Sequence, residues 1–178
     1  VDNTVVNASF TGATGTVTNG VSFTNTGTLT LGQSGGTLTY NGGVDTTGVG
    51  GTVTLNGTIV TSDDAIGLGA VTLGSATTLN SNATATNTAD VSLGAVTGGT
   101  NALTIETGNG VGNADVSGTS VAGVTTLTVQ NVGGTAAFTG DVSVTDLSVD
   151  NTVVNASFTG ATGTVTNGVS FTNKGTLT

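Results

Sequence analysis

Thirty residues occur twice in this chain. Residues 1–30, VDNTVVNASFTGATGTVTNGVSFTNTGTLT, return as residues 149–178 with one change, Thr26 becoming Lys174, at an offset of 148 positions. Near-identity at a fixed period marks tandem construction. The chain therefore reads as one complete unit, residues 1–148, of about seven coils, followed by the start of the next near-identical unit, 149–178, in one continuous solenoid without separate domains. Thr26 and Lys174 occupy equivalent places, and only a position facing water takes a flexible cation as readily as a small hydroxyl.

Within the unit the pattern is strand almost throughout. Thr52-Val53-Thr54-Leu55, Thr58-Ile59-Val60-Thr61, Leu127-Thr128-Val129-Gln130 and Val142-Ser143-Val144-Thr145 alternate apolar with polar residues, the period of a sheet with one buried face. Thr and Val are stiff at χ1 and favour extended backbone, while helix formers never accumulate over several turns. Between the strands lie Asn19-Gly20, Asn41-Gly42, Gly50-Gly51, Asn56-Gly57, Gly98-Gly99 and Gly133-Gly134, pairs that reach positive φ at small cost.

Composition chooses among the all-β architectures. The 178 residues include 31 Gly and 42 Thr but no Pro, Trp, Cys, Met or His. A two-sheet sandwich normally fills its interior with large aromatics and punctuates its edges with Pro, and a membrane barrel needs aromatic girdles; five Phe and one Tyr supply neither. A β-solenoid instead asks for slim aliphatics inside and small residues at the corners. With about 20 residues per coil and about 7 pointing inward, roughly a third of the chain should be apolar, close to the observed 35%. Seven coils at ~4.8 Å would advance roughly 34 Å. The sequence thus predicts an all-β solenoid with a small aliphatic core and a Thr/Asn-rich exterior.

The stretches GTVTLNGTIVTSDDAIGLGAVTLGSATTLNS, residues 51–81, and GAVTGGTNALTIETGNGVGNADVSGTSVAGVTTLTVQ, residues 94–130, resemble the β-strand repeats of giant bacterial surface proteins in the style of filamentous haemagglutinin and autotransporter adhesins. The resemblance covers nearly the whole chain. It implies a right-handed parallel β-helix in a secreted, extracellular or cell-surface protein serving as stalk, filament or adhesin.

Chemistry adds little to that expectation. Without Cys or His the common zinc, haem and iron–sulfur sites lack their ligands. A formal charge of −9 with a single Lys offers nothing to a phosphate backbone or an anionic membrane, so nucleic acid is not an expected partner. No apolar run is long enough to cross a bilayer as a helix, and membrane insertion is not expected. Asp63-Asp64 is the only adjacent carboxylate pair; an acid–base reading is available, but neighbours on a strand face opposite sides, and a polar turn between Val60 and Ile66 accounts for them. No catalytic residue, no cofactor site and no metal site is expected, and the chain does not read as an enzyme. Calcium is the one ion its oxygen ligands would suit, yet Asp2, Asp45, Asp63, Asp64, Asp90, Glu106, Asp115, Asp141, Asp146 and Asp150 are scattered, and residues 110–115 are only a loose echo of a calcium-binding repeat.

Thr-x-Thr triplets with a central Val or Leu begin at Thr16, Thr28, Thr37, Thr52, Thr126, Thr164 and Thr176. Their irregular spacing argues against an ice-matching face and for an inward Val or Leu between two outward hydroxyls. Asn-x-Ser/Thr sequons fall at Asn7, Asn56, Asn82 and Asn155, as expected by chance in so polar a chain. Phe10, Phe23, Phe138, Phe158, Phe171 and Tyr40 are expected to fill wider core layers rather than to line a carbohydrate groove. The expected function is a structural fibre or stalk whose main partner is itself, end to end or side by side, with neighbouring cells or surface polysaccharide as further contacts. The alternative is a spacer carrying a distal binding domain of an adhesin; a carbohydrate-active or ice-binding solenoid is a more distant one.

Overall fold

The computed structural model describes residues 1–81, 89–108 and 112–178. These contain no helix, and their strands stack in parallel as a β-solenoid of about seven turns. Each turn makes three runs. Two lie in an eleven-stranded sheet and one in a seven-stranded sheet. In the eleven-stranded sheet the first and second runs are separate where a loop divides them, as in Leu29–Leu31 and Thr37–Tyr40. They merge into one long strand in Val53–Thr61 and Val71–Asn80, where the register slips between Leu55 and Gly57. Gly57 sits there at φ 67, and a side chain would meet the Gly36 and Gln33 carbonyl oxygens at 2.5 and 2.4 Å, so this bulge requires glycine on two counts.

Parallel pairing in register turns the alternating pattern into continuous columns. Leu38, Ile59, Leu79, Ile105, Val129, Val149 and Phe171 lie one above another in the second run. Ala8, Leu29, Val53, Val71, Val96, Val121 and Val142 do so in the first. Val21, Val44, Ile66, Val91, Val116, Ala136 and Ala156 form the column of the third, in the seven-stranded sheet. Most of these side chains are fully buried. At roughly 1.5–3 kcal/mol per aliphatic group removed from water, these columns are the main force opposing the ordering cost of a Gly-rich backbone. Coil length is not constant: one turn carries the chain from Val53 to Val71, 18 residues, and the next from Val71 to Val96, 25 residues. Gly32, Gly35, Gly43, Asp63, Thr100 and Asn131 take positive φ.

The two copies of the thirty-residue segment are wound alike but do not sit alike. In both, the backbone N–H of a Thr donates to the Asn side-chain oxygen 21 residues earlier, Thr28 to Asn7 at 2.8 Å and Thr176 to Asn155 at 2.9 Å. Asp2 and Asp150 each accept from the N–H and hydroxyl of the Thr two residues on. Phe10 meets Phe23 at 5.6 Å and 62°, and Phe158 meets Phe171 at 5.6 Å and 58°. Yet Ala8 heads the first-run column, whereas its counterpart Ala156 lies in the third-run column. Val142 stands six turns above Ala8, and Ser143 pairs with Thr164 in the turn after it. Ala156 therefore falls about two thirds of the way round that last turn. One 148-residue unit is thus about 6⅔ turns and roughly 32 Å long at ~4.8 Å per turn, slightly shorter than seven whole coils would make it.

Being one run out of step re-employs the same residues. Thr18-Asn19-Gly20 forms the corner between Thr14–Val17 in the larger sheet and Val21–Ser22 in the smaller. Its counterpart Thr166-Asn167-Gly168 runs through the single strand Thr164–Phe171. There Asp146 Oδ1 accepts from Asn167 Nδ2 at 2.8 Å and from the Gly168 N–H at 3.0 Å, holding the bulge open. A short polar Asn-Gly pair tolerates both backbones.

Candidate functional site

The first and last described rungs of the stack are paired on one side only. Ala8–Phe10 pairs only with Leu29–Leu31, and Thr14–Val17 only with Thr37–Tyr40. At the other end Thr164–Phe171 pairs only with Val142–Val149. Each end therefore presents a row of backbone N–H and C=O groups without a neighbouring strand. The last rungs are apolar: Val5, Val6, Phe10 and Val17 are exposed at the first end, Val169 and Leu177 at the second. Shallow grooves accompany them. One of about 290 Å³ is bordered by Phe10, Val17, Leu38 and Tyr40, and one of about 230 Å³ by Phe158, Val165, Val169 and Phe171.

Because the sequence recurs, the molecule itself shows what covers each surface. Leu29 is 0% exposed beneath Val53, but its counterpart Leu177, with nothing above it, is 47% exposed. Val5 is 38% exposed at the open lower end, whereas Val153, with coils beneath it, is 0% exposed. In the first copy the segment is covered by Thr37–Tyr40, Val44–Asp45 and residues 53–55. Thr26 and Lys174, the one difference, are both exposed.

The residues singled out by chemistry are dispersed around the coil. Asp63 and Asp64 lie in the corner between Val53–Thr61 and Ile66–Leu68, Asp63 at φ 64, with the Thr61 hydroxyl donating to the Asp64 carbonyl. This is the polar turn the sequence suggests. Among the described residues no three carboxylates come together as a metal site. The echo at 110–115 lies partly outside the described residues, as does Asn82. Asp115 accepts from the Thr135 N–H at 2.7 Å, Asp90 from the Asp115 N–H at 2.8 Å, and Asp141 from the Thr162 N–H at 2.8 Å. These three acids thus bond one coil to the next. The Thr162 hydroxyl and N–H hold the Asp141 carboxyl below its ordinary pKa, as Thr4 does for Asp2. Of the sequons, Asn7 and Asn155 use their side-chain oxygens in the inter-coil bonds described above.

The aromatic residues form two short stacks. Phe23 sits between Phe10, at 5.6 Å, and Tyr40, at 6.5 Å; Phe158 sits between Phe138, at 5.4 Å and nearly parallel, and Phe171. Phe23 and Phe138 are fully buried, as expected of core fillers. Phe10, in the first described coil, departs from that expectation at 43% exposed. Burial also acts on Tyr40, pushing its phenol up to about 12.

Two regularities are invisible in the linear spacing. Thr14, Thr37, Thr58, Thr78, Thr104, Thr128, Ser148 and Ser170 pair in succession, a hydroxyl column running the length of the second run. Only two of the eight belong to the triplets, and intervals of 20 to 26 residues between successive members scramble the count along the chain. The neighbouring outward column changes character from Thr16 and Thr39 through Val60 to Asn80, Glu106 and Gln130, so no flat double row of Thr forms along the stack. In it the Glu106 carboxylate accepts from Asn80 at 2.7 Å, Gln130 at 3.0 Å and Asn131 at 2.9 Å, tying three coils together. Comparison with family models, curated proteins and solved structures yields no match to this chain.

Proposed function

We propose that the chain is a length of a structural fibre or stalk, extracellular or on a bacterial cell surface, with a mechanical rather than a catalytic role. The observation that carries this reading is a parallel stack whose columns run in register through to a second copy of the same thirty-residue sequence 148 positions on. Load along the axis would fall on rows of parallel hydrogen bonds acting together, and the Thr, Ser and amide exterior would stay hydrated. The style of repeat resembling filamentous-haemagglutinin and autotransporter-type proteins supports a secreted location and a partner that is first of all another length of the same fibre.

Immunoelectron microscopy of the source cells tests the reading. Antibodies raised against the folded chain should decorate thin straight filaments outside intact cells, with an axial period near ~32 Å per unit. Label confined to the interior of permeabilised cells, or on beads joined by flexible links, would overturn it.

A further inference from the structure

We propose that Asn41 is a site of spontaneous covalent modification, deamidation through a cyclic imide, from which the fold shields Asn56 and Asn167 in the same Asn-Gly dipeptide. Such a modification is independent of the fibre reading. Five Asn-Gly pairs occur in the chain, beginning at Asn19, Asn41, Asn56, Asn109 and Asn167. Asn109 lies outside the described residues and Asn19 in the first described coil, whereas the coil of Asn41 has described coils on both sides. Asn41 and Gly42 are the exposed central pair of a turn, closed by the Gly43 N–H donating to the Tyr40 carbonyl at 3.0 Å. The Asn41 N–H donates to the Val17 carbonyl at 2.8 Å. The Gly42 N–H, at the third position of this β-turn, has no hydrogen-bond partner among the described residues, and neither has the Asn41 side chain. Gly42 also borders an open groove of about 570 Å³, so water reaches the pair.

Deamidation needs a Gly nitrogen free to give up its proton and turn onto the Asn side chain. At Asn41 the Gly42 nitrogen loses its proton to hydroxide and attacks Cγ. A Cγ–N bond forms, the Cγ–Nδ2 bond breaks, and Nδ2 leaves with a recovered proton as ammonia. Water then opens the imide at either carbonyl, leaving an aspartyl or isoaspartyl residue and one new negative charge; nothing is oxidised or reduced. The other two pairs are held against these steps. The N–H of the buried Gly57 donates to the Ser75 hydroxyl at 3.2 Å, and the Gln33 and Gly36 carbonyls crowd its α-carbon so closely that a ring has no room there. At the other pair, Asp146 Oδ1 accepts from both reacting groups, Asn167 Nδ2 and the Gly168 N–H. Its charge also opposes the formation of a second anion beside it. Each event at Asn41 adds a carboxylate next to the groove that Asp45 and Asp64 already border.

Ageing the full chain in isotope-labelled water at mildly alkaline pH, with peptide mapping by mass spectrometry, tests the proposal. Asn41 should take up labelled oxygen roughly tenfold faster than Asn56 or Asn167, the order of protection that one held N–H confers. In concentrated urea, where turn, bulge and strand are gone, the three rates should converge, because the dipeptide is the same. Asp146→Ala should raise the rate at Asn167 and leave that at Asn41 unchanged. Equal rates in the folded chain overturn the proposal, as does a lead for Asn56 or Asn167. A ranking that survives urea also overturns it, since sequence neighbours and not the fold would then set the order. So does an Asn167 rate unmoved by Asp146→Ala in a variant whose circular dichroism matches the parent's, because the shielding would then have no cause.

Discussion

Gly118 lies directly opposite Phe138 on adjacent strands of the seven-stranded sheet, and a methyl group placed on Gly118 would meet the Phe138 ring at 2.5 Å. The glycine is the space into which the ring fits. Gly118→Ala should cost about 1–3 kcal/mol through overpacking, read as a lower urea midpoint at unchanged slope. Adding Phe138→Leu should recover part of that loss, because the smaller side chain vacates the contested volume. Additive losses in the double variant would show that the two positions do not compete.

Leu29 and Leu177 offer a second contrast, since they are the same residue of the repeat in covered and uncovered settings. Leu29→Ala should destabilise by about 2–5 kcal/mol, as core truncations do. Leu177→Ala should change the single molecule by less than about 0.5 kcal/mol, as surface changes do. Denaturation at low protein concentration measures both. Equal losses would contradict the open end.

Tyr40 is the only tyrosine and no tryptophan is present, so its ionisation can be followed alone. Burial raises its pKa from 10.0 to about 12. Between those values the unfolded chain releases a proton that the folded chain retains, so the stabilisation is complete below pH 10 and drains away as pH rises towards 12. Melting temperature should fall across that window by the equivalent of up to about 2 kcal/mol, with tyrosinate absorbance appearing late. Tyr40→Phe should flatten this part of the profile. An unchanged alkaline profile in that variant would assign the effect elsewhere.

Glu106 ties Asn80, Gln130 and Asn131 into one cluster. Glu106→Gln would turn an amide N–H₂ towards groups that are themselves donors, and should cost about 1–3 kcal/mol. The loss should show first as faster amide exchange in Leu103–Glu106 and Val121–Gln130. Uniform exchange would mean that the cluster stabilises nothing locally.

Much of this architecture was readable from residue types. Inward Val, Leu and Ile at alternate positions predict the buried columns, and Leu38, Val53 and Leu127, each flanked by two Thr, are buried as that pattern requires. Phase was not readable. Corners and bulges together decide how many residues a turn consumes, and Gly57, in the bulge of Val53–Thr61, looks like any other glycine in sequence. The hydroxyl column from Thr14 to Ser170 and the Glu106 cluster appear only after those lengths are known. The exposure of Phe10 was hidden for another reason: its side chain suits a core, and only its place in the stack leaves it uncovered.

The one-run displacement between Ala8 and Ala156 sets how such a thread presents itself sideways. Were units to follow one another at this offset, a given side chain would appear at twelve, four and eight o'clock in turn, or in the reverse order, and come back to its starting bearing about every third unit. No single side of the thread would carry the same chemistry along its whole length. Neighbouring threads would find matching patches only by coiling about each other, which favours rope over ribbon.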